Sequence, residues 1–122
     1  IECPRQDMTI VDTELFGPVL AVQRFTTEAE VIELANDTKH GLAAGLFTRD
    51  GARQIRMAKK LKSGMVWVNT YRMISPIAEF GGVKTSGHGR EAGLQAMYDY
   101  TRTKTIWINL SDEPIANPFQ PR

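Results

Sequence analysis

Leu42-Ala43-Ala44-Gly45-Leu46-Phe47-Thr48 and Met65-Val66-Trp67-Val68-Asn69 decide how the chain folds. Both runs are short and apolar, and the second has the strongest strand propensity in the sequence. Between them, Asp50 to Lys62 carries Ile55, Ala58 and Leu61 on one helical stripe, and Gly64 closes it. Lys59, Lys60 and Lys62 collect in its last turns, where cations oppose the negative end of the helix dipole. Strand, helix, strand at this spacing predicts a βαβ unit with parallel strands.

The pattern extends to both sides. Val19 to Phe25 is another apolar, β-branched run and reads as a strand buried on both faces. Thr27 with Glu30 spells a capping box, so a helix starts there. Val31, Leu34 and Ala35 form its inner stripe, with Glu28, Glu30, Glu33 and Asp37 facing away and Gly41 at its stop. His40, beside that glycine, fits a cap on the last carbonyls. Beyond Asn69 no period holds as far as Glu91, and a segment that long is usually a functional loop. A last helix is expected from about Glu91 to Tyr100, with Leu94 and Met97 on its apolar side. Lys104 to Leu110 then alternates, Thr105, Trp107 and Asn109 against Ile106, Ile108 and Leu110, and reads as a strand. Pro114, Pro118 and Pro121 mark an extended tail over 111–122. The fold class is therefore α/β, a mostly parallel, helix-covered sheet. Ligands of such sheets gather at the carboxyl ends of strands, which points to the segments after Asn69 and around Phe16.

Composition removes whole classes of function. The 122 residues hold fifteen Lys and Arg against fourteen Asp and Glu, a net charge of +1 without a basic stripe, so no nucleic-acid partner is expected. No apolar run can span a bilayer, and no membrane partner is expected either. A single cysteine, Cys3, excludes an internal disulfide and a C-x-x-C site, and no His or Cys pair has zinc-ligand spacing. No signal peptide is recognisable, which fits a cytoplasmic protein. Cys3 has no neighbouring base, and His88 sits between two glycines, facing solvent.

Two segments could carry chemistry. Gly87-His88-Gly89-Arg90-Glu91-Ala92-Gly93 matches G-x-G-x-x-x-G, a variant of the dinucleotide fingerprint, but its strand ends far upstream near Asn69. These glycines are better read as permitting positive φ in a chain reversal before the last helix. Glu14-Leu15-Phe16-Gly17-Pro18-Val19 is more informative. A carboxylate can accept from both hydroxyls of a ribose diol, and an aromatic two residues later can pack on a flat ring. Gly17 and Pro18 would bend the backbone so that Glu14 and Phe16 enter one cleft.

The latter segment resembles the E-(I/L)-F-G-P-V motif of the aldehyde dehydrogenase superfamily. Gly64 to Asn69 is similar to that family's G-x-V-W-(I/V)-N strand, and Phe80 to Gly93 to its F-G-G-x-K-x-S-G-x-G-R-E-x-G segment. Tyr100-Thr101-Arg102-Thr103-Lys104-Thr105 corresponds to its Y-T-x-x-K-x-(V/I) entry into a last strand. Order and spacing match from about Met8 to Leu110.

The resemblance implies the C-terminal portion of an NAD- or NADP-dependent enzyme that oxidises an aldehyde to a carboxylic acid. In that family a cysteine thiolate attacks the aldehyde, hydride passes to nicotinamide, and a glutamate-activated water hydrolyses the thioester. By position, Glu14 would hold the nicotinamide ribose and Phe16 would pack near its ring. Phe80 would wall the substrate tunnel, and Tyr71, Met73 and Ile74 would shape its mouth. Residues 1–103 would belong to the catalytic domain, and 104–110 would form the strand through which a homo-oligomer assembles. The family's nucleophile, general base, oxyanion asparagine and Rossmann glycine loop precede the matched motifs, so the isolated chain is expected to be inactive. Glu79 replaces the family's usual proline before F-G-G, and Arg72 at the tunnel mouth could either favour an anionic substrate or pair with Glu79. The alternative is a non-catalytic oligomerisation or binding module.

Overall fold

Strands β1 (Ala43–Leu46) and β2 (Met65–Val68) pair in parallel, Ala43 with Met65 through Leu46 with Val68. This is a computed structural model, describing residues 1–114 and 117–120. The ladder runs on at both ends, with the Gly64 amide donating to Gly41 O at 2.9 Å and the Asn69 amide to Leu46 O at 2.8 Å. Helix α3 (Gly51–Lys60) joins the strands and packs on both. Asp50 caps it, its carboxylate accepting from the Arg53 amide at 3.0 Å.

The inner face of α3 is turned one position from the expected stripe. Met57 is its buried residue, while Ile55 is 61% exposed. Gln54 explains the rotation: its Nε2 donates to Thr48 O at 3.0 Å, so Gln54, Met57, Ala58 and Leu61 form the face toward the strands.

Helix α2 (Glu28–Asn36) has the predicted capping box, Glu30 N on Thr27 Oγ1 at 3.1 Å and Thr27 N on Glu30 Oε2 at 3.4 Å. It ends at Asn36 with Asp37 as C-cap, well before Gly41. Among the described residues His40 caps no carbonyl, and its buried Nε2 has no partner. Nor does Glu28 face away. Its carboxylate accepts from Arg53 Nε at 3.0 Å and from Arg56 Nε and Nη2 at 2.5 and 2.7 Å, tying α2 to α3. Hydrogen bonding from Arg56, then Arg53, holds the Glu28 pKa at about 2, against an ordinary 4.5.

Other expectations are met only in part. In Val19 to Phe25 only Val22 pairs, through a parallel bridge to Glu2, and Leu20 and Phe25 remain 73% and 55% exposed. A strand buried on both faces needs a neighbour on each side, and this run has one short contact. That contact covers Cys3, which is fully buried. A short helix α1 (Thr9–Asp12) lies upstream. The last helix, α4, covers only Gln95–Asp99, because Glu91 pairs with Phe80 and Ala92 and Gly93 adopt φ of 58° and 64°. Residues 104–110 make no ladder hydrogen bond among the described residues, having no strand beside them. The expected tail contains a turn, Gln120 N on Asn117 O at 3.3 Å, and Ile115, Ala116, Pro121 and Arg122 fall outside the described residues. No helix among the described residues is long and apolar enough to cross a membrane.

The accessible surface is 10666 Å². A self-contained protein of this mass would show roughly 6,600 Å². The excess reflects a missing core: Cys3 and Met57 are the only buried hydrophobic residues among those described.

The Glu28 carboxylate should make attachment of α2 pH-dependent. Its lowered pKa means that its contribution is fully present above pH 4.5 and is lost as pH falls through about 2. Amide protection in α2 and α3, corrected for the intrinsic pH dependence of exchange, should fall across that window in the native chain, and Glu28→Gln should remove that acid-dependent step. An unchanged profile in the variant would rule the clamp out.

Candidate functional site

The carboxyl ends of β1 and β2 are stitched by one side chain. Asn69 Oδ1 accepts from Thr48 N at 2.8 Å and Asn69 Nδ2 donates to Thr48 O at 2.9 Å, so an amide side chain continues the ladder where the backbone departs. Asn69 itself has φ 54°, a left-handed conformation that asparagine tolerates better than most residues. Immediately beyond it the chain doubles back. Trp67 Nε1 donates to Met73 O at 2.9 Å, and the Trp67 and Tyr71 rings meet edge to face at 5.3 Å. Tyr71 lies over Gly45, where a Cβ would stand 3.5 Å from its ring, and Arg72 stacks at 5.9 Å on its centroid. Arg72 and Glu79 form no ion pair.

This arrangement organises the Tyr71–Ile74 loop but leaves its side chains facing outward. Tyr71, Met73 and Ile74 are 62%, 69% and 68% exposed. Phe80 is half-buried and sits toward the other end of β2, its amide and carbonyl paired with those of Glu91. It borders an open cavity of about 650 Å³ with Leu42, Gly81, Arg90 and Tyr100. Glu14 and Phe16 join neither group. Successive tight turns, Gly17 N on Leu15 O at 2.9 Å and Val19 N on Gly17 O at 2.8 Å, produce the expected bend. The bend leaves both side chains outside: Phe16 is 98% exposed, and the Glu14 carboxylate has no hydrogen-bond partner among the described residues. The predicted site residues thus occupy three separate places, exposed except at Phe80.

The glycine segment combines dihedral freedom with close contact. Of Gly87, Gly89 and Gly93, expected to permit positive φ in the reversal, Gly87 and Gly93 have it, at 110° and 64°. Gly64 lies where a Cβ would overlap the Gly81 carbonyl, and a Cβ on Gly82 would come within 2.6 Å of Ser86 Cβ. A Cβ on Gly41 would stand 2.8 Å from Val83 Cγ2. The Gly41 carbonyl accepts two amides, Gly64 and Val83, each at 2.9 Å. In the sequence Trp67 and Asn69 belong only to the run with the strongest strand propensity, and propensity says nothing of the loop that they hold.

No cluster of three or more His, Cys, Asp and Glu among the described residues could hold a metal ion. Removing the indole N–H should loosen the loop without disturbing the strand. Trp67→Phe keeps the ring edge and is expected to cost about 1 kcal/mol in urea unfolding, with faster exchange confined to 71–74. Exchange that rises equally throughout β1 and β2 would contradict a local role.

The sequence profile described as the aldehyde dehydrogenase family matches residues 1–106. A relative from Acinetobacter baylyi, (Z)-2-((N-methylformamido)methylene)-5-hydroxybutyrolactone dehydrogenase, is 56% identical over 93% of this chain. This chain spans only 23% of that relative's length. The crystal structure of PnpE from Pseudomonas sp. WBC-3 superimposes with TM-score 0.86 at 41% identity, covering 97% of this chain and 24% of that one. The NAD+ complex of an aldehyde dehydrogenase from Bacillus cereus gives TM-score 0.83 at 44% identity, over 90% of this chain and 22% of its own.

Proposed function

The chain belongs to the aldehyde dehydrogenase family, and from that premise we propose that it supplies the nicotinamide-ribose, substrate-tunnel and subunit contacts of an enzyme oxidising aldehydes to carboxylic acids with NAD or NADP. The observation that carries this reading is the outward exposure of every candidate site residue except Phe80 on a chain with almost no core of its own. Such a surface suits a stretch whose opposing walls come from the rest of a catalytic subunit. The chain spans about a quarter of the length of the relatives that it matches.

The residues present fit the cofactor. Glu14 has both carboxylate oxygens available for a vicinal diol, and the Phe16 ring stands clear beside the Gly17 bend. Bound NAD or NADP supplies the hydride acceptor. Glu14 orients its ribose, Phe16 packs near its ring, and the Trp67-anchored loop carries Tyr71, Met73 and Ile74 at the entrance for aldehyde. Phe80 forms the inner wall. The nucleophile and the general base come from outside these residues, and Cys3, buried under the Glu2–Val22 bridge, is not the nucleophile.

The isolated chain is therefore expected to form no NADH with any aldehyde, read at 340 nm. Turnover by the isolated chain that survives Cys3→Ser would overturn this assignment. In the complete enzyme, Glu14→Gln should weaken NAD binding by about tenfold or more, the loss of a charge-assisted hydrogen bond, and lower kcat as well, because the ribose it orients carries the hydride acceptor.

A second reading rests on residues 104–110, whose apolar side chains are exposed, Trp107 and Leu110 at 92% each, and whose backbone lacks ladder partners among the described residues. An unpaired edge of this kind invites a strand from another copy. It makes the chain an assembly element, either within a homo-oligomeric enzyme or as a non-catalytic module. Sedimentation tests the assembly role in either case: self-association is expected, and a strict monomer at high concentration would remove it.

A further inference from the structure

We propose that Lys84 is a positioning residue: its ammonium fastens the Phe80–Ser86 segment to the end of α2 and thereby sets where Phe80 stands in the substrate passage. The inference rests on the reading of Phe80 given above. Lys84 Nζ donates to Asn36 O at 2.9 Å and to Thr38 O at 2.8 Å, the last carbonyl of α2 and one just beyond it. These groups lie where a helix leaves its acceptors unsatisfied and its dipole is negative, so a cation is the favoured partner. No carboxylate forms an ion pair with Lys84 among the described residues, and its side chain is spent on backbone alone.

The surrounding bonds make this contact a fixing point. Val83 N donates to Gly41 O at 2.9 Å, Thr85 N to Lys39 O at 3.1 Å, and Gly41 N to Ser86 Oγ at 2.9 Å. Lys84 itself has φ 56°, a left-handed conformation disfavoured for a side chain of its length, and such conformations persist where neighbouring contacts impose them. The fastening reaches Phe80 through close packing. Gly82 lies against Ser86, Gly81 against Gly64, and the Phe80 backbone against Glu91, so a shift at Lys84 has no slack to absorb it. Arg90 Nη1 braces the same turn on Gly82 O at 2.7 Å.

The test compares Lys84→Met, Lys84→Arg and wild type in the complete enzyme that contains these residues. Lys84→Met should raise KM for a bulky aromatic aldehyde about tenfold while KM for acetaldehyde and for NAD changes less than about twofold. Amide exchange over 80–86 should accelerate in parallel. Lys84→Arg, which retains charge and donors, should restore most of both. If Lys84→Met does not fold, Thr85→Val, which removes the Thr85 hydroxyl from Lys39 O, should give the same shifts at smaller size. An active enzyme whose Lys84→Met form shows unchanged exchange over 80–86, or a uniform fall in kcat with KM unaltered, overturns the proposal and leaves the functional reading standing. Wild-type enzyme that oxidises no aldehyde overturns the functional reading, and with it the role of Phe80.

Discussion

The parallel pairing of Ala43–Leu46 with Met65–Val68 is prolonged at one end by the Gly64 amide on Gly41 and at the other by the Asn69 side chain on Thr48. Each of these fastenings orders a separate loop. The Asn69 end delivers the chain into the Trp67–Met73 contact, and the Gly41 end receives the glycine segment carrying Phe80. The helices are secured by polar contacts around the same pair. Glu28 bridges α2 to α3, and the Asn36 side chain bonds Lys60 O at 2.9 Å and Lys62 N at 2.7 Å. Hydrogen bonding and charge thus supply the specificity that hydrophobic burial supplies in most domains of this size.

That division explains which parts could be read from the sequence. The capping box at Thr27 and the Asp50 helix start depend on neighbours within a few residues, and the βαβ unit on two strands that follow one another along the chain, so sequence order and local chemistry state them. Val19 to Phe25 and Lys104 to Leu110 have the same strand-like composition as β2, yet they form no ladder, because strand formation needs a second backbone that propensity cannot provide. Ile55 is exposed for a different reason: the neighbouring Gln54 hydrogen-bonds back to the Thr48 carbonyl and takes the place on the inner face of α3 that the simplest apolar stripe assigns to Ile55.

The candidate site was legible as motifs but not as geometry. Glu14, Phe16, Tyr71 and Phe80 are identifiable from family resemblance, whereas their mutual placement depends on surfaces beyond those that the chain offers itself. The glycines show the complementary failure. Of Gly87, Gly89 and Gly93, expected to permit positive φ, the first and last do so, whereas Gly64, Gly81 and Gly82 are needed for the absence of a side chain at a close approach, a property of the partner segment that no local pattern states.

The Gly41 carbonyl has a consequence for how the molecule moves. Its two lone pairs are divided between an amide that belongs to the strand pair and one that belongs to the glycine segment. Either element that swings away hands one lone pair back to water while the other keeps its bond. The strand edge and the segment bearing Phe80 therefore share one point of attachment, and a change that moves the Gly41 peptide disturbs both.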